Sequence, residues 1–246
     1  MGAMRMSGVV RGTVVAVLAA GLLAGCEGNG GKDKGPAGDG AKQAGPKASS
    51  SADPRRIPHV GDKLAAKIPG VTRQVVAVYG RGENSADATV VLYTKDGDTW
   101  KRDRSWSAHN GRRGWTTHHR EDDKRSPVGV FALSDAGGVL PNPGAELPYH
   151  HAAAFAAPHY WPKTHWHDFD YVIAIDYNRL TGTSPLDPTR PQGRRKGGSI
   201  WLHLDHGSGT SGCVSLPKAG MEYLLKHLDP ARHPVVVMGD KQQLAA

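Results

Sequence analysis

The sequence predicts one mainly β domain with a single late amphipathic helix, carried at the end of a flexible N-terminal tether. Three observations predict it. Six short stretches rich in β-branched and aromatic residues are each bounded by Gly, Pro, Asp or Asn, the punctuation of strands. Only one segment places apolar residues at helical spacing. Residues 27–53 contain no large apolar side chain at all, so they cannot bury a core.

The elements follow in chain order. Residues 1–25 carry Arg5 and Arg11, no acidic residue, and an apolar run over 13–23. That run falls short of the ~20 residues a spanning helix needs, and it reads as a secretory signal. It ends in Leu23-Ala24-Gly25-Cys26, where small residues directly before a cysteine resemble the bacterial lipobox. The resemblance implies cleavage before Cys26 and a diacylglyceryl thioether on its sulfur, hence a lipid anchor at the outer face of the cytoplasmic membrane. An ordinary signal peptide with an incidental cysteine is the alternative. The expected organisation is a lipoprotein signal peptide over 1–25, a lipidated flexible linker over 26–56, and one domain over 57–246. The polar stretch 27–53 has a root-mean-square reach on the order of 30 Å, enough to let a membrane-held domain search the layer above its anchor.

Within the domain, residues 75–79, 88–94, 129–133, 171–177, 199–204 and 235–238 are expected as strands. Asp96-Gly97-Asp98, between Thr94 and Trp100, reads as a hairpin turn. Met221, Leu224, Leu225 and Leu228 mark the helix, with Pro217 near its start and Asp229-Pro230 at its end. Its apolar face is expected to pack on a sheet. Residues 137–168, rich in Pro, His and aromatics, are expected to form a long irregular lid or substrate loop.

The two cysteines have different fates in this scheme. If Cys26 is lipidated, Cys213 stays a lone thiol in an oxidising compartment, and catalysis is the usual reason for one. A small buried apolar residue is the other option for it. Its context favours chemistry. In Ser199-Ile200-Trp201-Leu202-His203-Leu204, alternation puts Ile200, Leu202 and Leu204 on one face and Trp201 and His203 on the other. Gly207, Gly209 and Gly212 then let the chain turn back through Thr210-Ser211-Gly212-Cys213-Val214 and bring the thiol opposite the imidazole. A thiol needs such a base to become a good nucleophile near neutral pH. The backbone N–H groups of Gly212 and Cys213 are candidates for holding a developing oxyanion.

This segment resembles the L,D-transpeptidase (YkuD-like) catalytic domain, in which a strand histidine precedes a Ser/Thr-x-Gly-Cys turn. The likeness extends to Arg73-Gln74-Val75-Val76-Ala77-Val78, to Arg125-Ser126-Pro127-Val128-Gly129-Val130-Phe131, to Phe169-Asp170-Tyr171-Val172 and to Leu228-Asp229-Pro230, over roughly residues 68–240. The resemblance implies a β-sandwich or open-barrel fold, with Cys213 as nucleophile and His203 as proton acceptor. It also implies peptidoglycan stem peptides as donor and acceptor, D-alanine as leaving group, a thioester intermediate and a 3→3 cross-link. Water in place of the amine would make an L,D-carboxypeptidase. Acylation by carbapenems follows from the same likeness, and no cofactor or metal is implied. Two positions depart from the family pattern: Ser211 stands where a histidine usually precedes Gly-Cys, and Ser215 where Arg or Asn is common. With Tyr171, they are the substrate-contact positions the resemblance points to. The sequence does not identify the group that orients His203: the Leu204 side chain cannot, and Asp205 and a backbone carbonyl are equal options.

Competing readings are weaker on the same residues. Thirteen histidines include His118-His119, His150-His151 and His165-Trp166-His167, which could offer imidazoles to zinc, but no His-Glu-x-x-His occurs. His203-x-Asp205-His206 likewise lacks the surroundings of zinc peptidases, and exposed loop histidines are expected instead. Papain-like hydrolases place the cysteine first, at a helix start. A non-catalytic, lipid-anchored wall-binding protein is the remaining alternative, with Ser211 its best support. The formal charge of +8 falls to +6 without Arg5 and Arg11, which suits an anionic membrane or wall surface. No aromatic–basic nucleic-acid motif is present.

Overall fold

The computed structural model describes residues 53–246; the expected signal peptide, Cys26 and most of the expected linker lie outside the described residues. A short helix, α1 (Asp62–Ala65), precedes strands β1 (Gln74–Gly80), β2 (Asp87–Asp96), β3 (Thr99–His109), β4 (Trp115–Thr116), β5 (Ser126–Pro127), β6 (Gly129–Ala132), β7 (Ala136–Gly138), β8 (Tyr149–His151), β9 (Val172–Ala174), β10 (Trp201–Leu204) and β11 (Val214–Leu216). Then come the late helix α2 (Lys218–His227), strand β12 (Val235–Asp240) and α3 (Lys241–Ala245). The chain is mainly β, as its strand punctuation predicts.

The large sheet runs in the order β6-β12-β1-β2-β3-β11-β10-β9-β7-β8, and β4 pairs with β5 separately. β1 lies between β12, parallel, and β2, antiparallel. Its apolar run is buried on both faces, which explains why it reads as continuous rather than alternating. Val76 and Val78 join the main core, while Val75 and Ala77 join a second cluster with Ile57, Val60, Leu64 and Leu244. The N-terminal segment and α3 are thereby folded onto the outer face of this strand.

Two halves of the sheet meet between β3 and β11, where Ser215 opposite His109 is the only registered pair. The main core spans that junction, with Val76, Val90 and Leu92 from one half and Ile173, Leu202, Val214 and Leu216 from the other. Helix α2 contributes Met221, Leu224 and Leu225 to the same core. Pro217 occupies its N-cap position. At the other end, buried Gln74 donates to the carbonyl of His227 at 2.6 Å and accepts the N–H of Asp229 at 2.9 Å. One side chain of β1 thus satisfies backbone groups that a helix terminus leaves open.

Four expectations change. The strand over 171–177 contracts to Val172–Ala174, and Tyr171 lies inside the main core. The strand over 199–204 begins only at Trp201, because Ser199 adopts a left-handed φ of 51°. Residues 137–168 are not wholly irregular: they contribute most of β7, all of β8 and two 3₁₀ turns. β3 was implied only by the hairpin turn before it, and β4, β5, β7, β8 and β11 were not expected. β3 completes the hairpin around Gly97, whose φ is 55°, and its outer half carries mostly exposed charged and polar side chains.

Candidate active site

β10 and β11 run parallel, with Leu202 beside Val214 and His203 beside Ser215. The alternation along β10 is as the sequence predicts: Ile200, Leu202 and Leu204 enter the main core, and Trp201 packs on the other face with Phe155, Val172 and Ala174. His203, on the Trp201 face, and Cys213, at the entry to β11, line one cavity of about 320 Å³.

His203 is 3 % exposed, and its Nδ1 lies 2.8 Å from the carbonyl oxygen of Leu204. A carbonyl only accepts, so Nδ1 carries the proton and Nε2 is left with a free lone pair. The orienting group is thus a backbone carbonyl. Asp205 is committed elsewhere: its Oδ1 accepts from Ser215 Oγ at 2.7 Å and pairs with His109 Nδ1 at 2.7 Å. Burial lowers the His203 pKa to about 4, against the opposing pull of the Leu204 carbonyl and the nearby Asp168 carboxylate. The ring is edge-on to Phe169, with centroids 5.3 Å apart, and parallel to His206 at 6.2 Å.

Cys213 is half-buried, with Sγ 3.5 Å from the carbonyl oxygen of Ser199. Desolvation pushes its thiol up to about 11. Thiol and imidazole therefore both rest neutral near pH 7.

The turn before Cys213 is held by hydroxyls. Ser126 Oγ donates to Gly212 O at 2.7 Å and accepts the Gly111 N–H at 2.9 Å. Thr210 Oγ1 donates to Cys213 O at 2.7 Å and accepts the Gly212 N–H at 3.1 Å. That last bond corrects the oxyanion expectation: the Gly212 amide is engaged, and the Cys213 N–H remains the candidate. Gly212 itself sits at φ 146°, and a Cβ there would lie 3.1 Å from Arg125 O. At Gly209 a Cβ would come within 2.5 Å of the Arg112 backbone, so the loop can lie against residues 110–112 only without a side chain.

Of the other expected contact residues, Ser211 is exposed and borders the main cavity. Ser215 is completely buried and bonded to Asp205, and Tyr171 is packed in the core, so neither reaches that cavity. Sequence reasoning missed Arg112, Trp161, Asp168 and His206, all of which line it. The histidines also differ from expectation. His119 is buried, edge-on to Tyr177 with centroids 5.3 Å apart, and borders a second, 110 Å³ cavity with Glu121, Asp122, Ser211 and Cys213. His165 and His206 converge on Asp168. His118, His151 and His167 are exposed, as expected of loop histidines.

A half-buried thiol and a base-form imidazole in one cavity can together carry out acyl transfer. The L,D-transpeptidase catalytic domain (YkuD) matches residues 83–237, more than half of the chain. The chain belongs to this family. Its members act on peptidoglycan, and the family's fold agrees with the mainly β architecture described above. Solved structures that resemble the chain include Bdellovibrio bacteriovorus Bd1075, 14% identical with a TM-score of 0.39 over 71% of this chain and 52% of that one. The helical cell shape determining protein Pgp2 from Campylobacter jejuni is 18% identical, with a TM-score of 0.40 over 70% of this chain and 52% of that one. The chain thus spans about half the length of these two solved chains. No curated protein matches it.

Proposed function

We propose that this L,D-transpeptidase-family domain cross-links peptidoglycan through a thioester on Cys213. The observation that carries the reading is that His203, its Nδ1 held 2.8 Å from the Leu204 carbonyl and its Nε2 therefore the accepting nitrogen, lines the same cavity as Cys213. Cys213 Sγ attacks the carbonyl joining the third stem residue to D-alanine. Because both groups rest neutral, the thiol proton moves to Nε2 as the carbon–sulfur bond forms. The imidazolium then gives that proton to the departing amine, D-alanine leaves, and the thioester remains. The amine of a neighbouring stem attacks it, His203 takes the excess proton and passes it to Cys213 Sγ as the carbon–sulfur bond breaks, and a 3→3 peptide bond replaces the thioester. The Cys213 N–H is the donor for both tetrahedral oxyanions. Arg112, at the cavity wall, is a suitable partner for a stem carboxylate.

The second cavity, which also borders Cys213 and has Glu121 and Asp122 on its wall, supports transfer over hydrolysis. Asp122 is paired with Lys124 at 2.6 Å, so Glu121 is the carboxylate that attracts an incoming amine. The domain works from a lipid anchor on Cys26, on the outer face of the cell membrane, where the linker spans to the wall.

The test is intact-mass spectrometry of the protein incubated with meropenem, together with product analysis on a tetrapeptide donor. A single adduct lost in Cys213→Ala, and a 3→3 dimer as product, are expected. His203→Ala should slow acylation by about 10²-fold or more. A released tripeptide without dimer would make the enzyme an L,D-carboxypeptidase. No adduct and no product would leave a wall-binding protein.

A further inference from the structure

We propose that His165, Asp168 and His206 form a binding site for a divalent transition-metal ion of the zinc class. His165 ends a 3₁₀ turn, Asp168 follows it in the approach to β9, and His206 stands two residues beyond β10. Asp168 Oδ2 is 3.0 Å from His165 Nδ1 and 3.1 Å from His206 Nδ1. The two imidazole centroids are 4.2 Å apart, and one ligating atom from each of the three residues falls within a 4.8 Å spread. Zinc bonds of 2.0–2.1 Å in a tetrahedron set ligand atoms about 3.3 Å apart, close to the two Asp168–imidazole distances, so admitting an ion requires mainly that the widest ligand pair draw in.

The second observation is a polar atom without a partner. His206 Nδ1 is buried and lies outside hydrogen-bonding angles to any acceptor, although Asp168 Oδ2 is 3.1 Å away. The side chains of His206 and Asp168 are only 5 % and 4 % exposed. A buried ring nitrogen normally finds a partner, and a shared cation would supply one here. Two neutral imidazoles and one carboxylate leave a single negative charge for a divalent ion, the donor set of many zinc and iron sites.

The backbone holds the three in place. Asp168 N–H donates to His165 O at 3.1 Å, and Leu204 N–H donates to Asp168 O at 2.9 Å. The ring of Trp161 closes over His165 at 6.0 Å. All three ligands line the cavity that His203 and Cys213 share. Three protein ligands leave at least one coordination position open to that cavity, for water or a carboxylate of a bound molecule.

The experiment uses the full chain, without a histidine tag and stripped of metal, in a Cys213→Ala background that removes the thiol as a ligand. Titration with Zn²⁺ should show one equivalent bound, and Co²⁺ should develop visible d–d absorption at the same stoichiometry. His165→Ala and His206→Ala should each weaken Zn²⁺ binding by about 10²-fold or more, since even indirect partners of metal ligands cost 10–100-fold. His167→Ala and His151→Ala should leave it unchanged. His165 is the most exposed of the three at 29 %, so its variant keeps the test interpretable if buried His206→Ala fails to fold. Zn²⁺ should also raise the melting temperature of the parent but not of His165→Ala. Absence of stoichiometric uptake, or equal affinity in parent and His165→Ala, overturns the proposal.

Discussion

Ser126 Oγ lies 2.7 Å from the carbonyl oxygen of Gly212, a contact between residues 86 positions apart. It fastens β5 to the turn that delivers Cys213. Ser126→Ala would leave Gly212 O and Gly111 N–H short of a buried partner, at about 1–3 kcal/mol. Urea unfolding should register that loss. Acylation of Cys213 should slow as well, because the turn loses its anchor. A variant with wild-type stability would remove the hydroxyl from this account.

The resting thiol gives a pH prediction. With its pKa pushed up to about 11 by desolvation, Cys213 holds only ~10⁻⁴ thiolate at pH 7. Alkylation by iodoacetamide in the absence of substrate should rise about tenfold per pH unit from pH 7 to 10. A plateau below pH 9 would mean that the sulfur rests as a thiolate.

His203 links acidity to stability. Its folded pKa, about 4, lies below its ordinary value of 6.5. Above pH 6.5 both folded and unfolded states hold the ring neutral, and it contributes nothing to the pH dependence. Between pH 6.5 and 4 the unfolded chain binds the proton first, so stability falls on acidification, by about 3 kcal/mol in total. Chemical denaturation at pH 7 and pH 4 should show a drop smaller by that amount in His203→Gln. Identical drops would show that the imidazole titrates freely in the folded domain.

Arg179 is buried between Asp135 and Asp176, its Nη1 2.9 Å from Asp135 Oδ2 and bonded also to Asp176 Oδ1. Burial already raises the Asp176 pKa. Arg179→Met should cost about 3–5 kcal/mol, because two carboxylates lose their counterion inside the protein. Adding Asp135→Asn and Asp176→Asn should recover much of that loss in the same denaturation assay. No recovery would place the cost in packing rather than charge.

Much of the candidate pair, His203 and Cys213, was legible in the sequence, since strand alternation in 199–204 and the glycines after it are local signals. Alternation correctly separates Leu202 and Leu204 from Trp201 and His203. What orients His203 was not legible: Leu204 acts through its backbone carbonyl, which every residue type possesses. Ser215 and Tyr171 were expected near substrate on family likeness, yet hydrogen bonding and packing turn both inward. β3 is signalled only by the turn before it because its outer half carries Lys101, Arg102, Asp103 and Arg104, all exposed, where a half-buried strand would alternate. β11 is three residues long and follows the cysteine at once, too short for any period. The convergence of His165, Asp168 and His206 depends on β9 pairing with β10, a non-local event that no spacing records.

The joint between the sheet's halves has a mechanical consequence. With one registered pair at Ser215 and His109, both tied to Asp205, the ladder there resists twisting far less than the long β2–β3 pairing does. His203 and Cys213 both stand on the β11 side of that joint, in β10 and at the entry to β11, strands paired with each other. Any rocking of one half against the other therefore carries sulfur and ring together, and the gap between them is kept by the β10–β11 ladder.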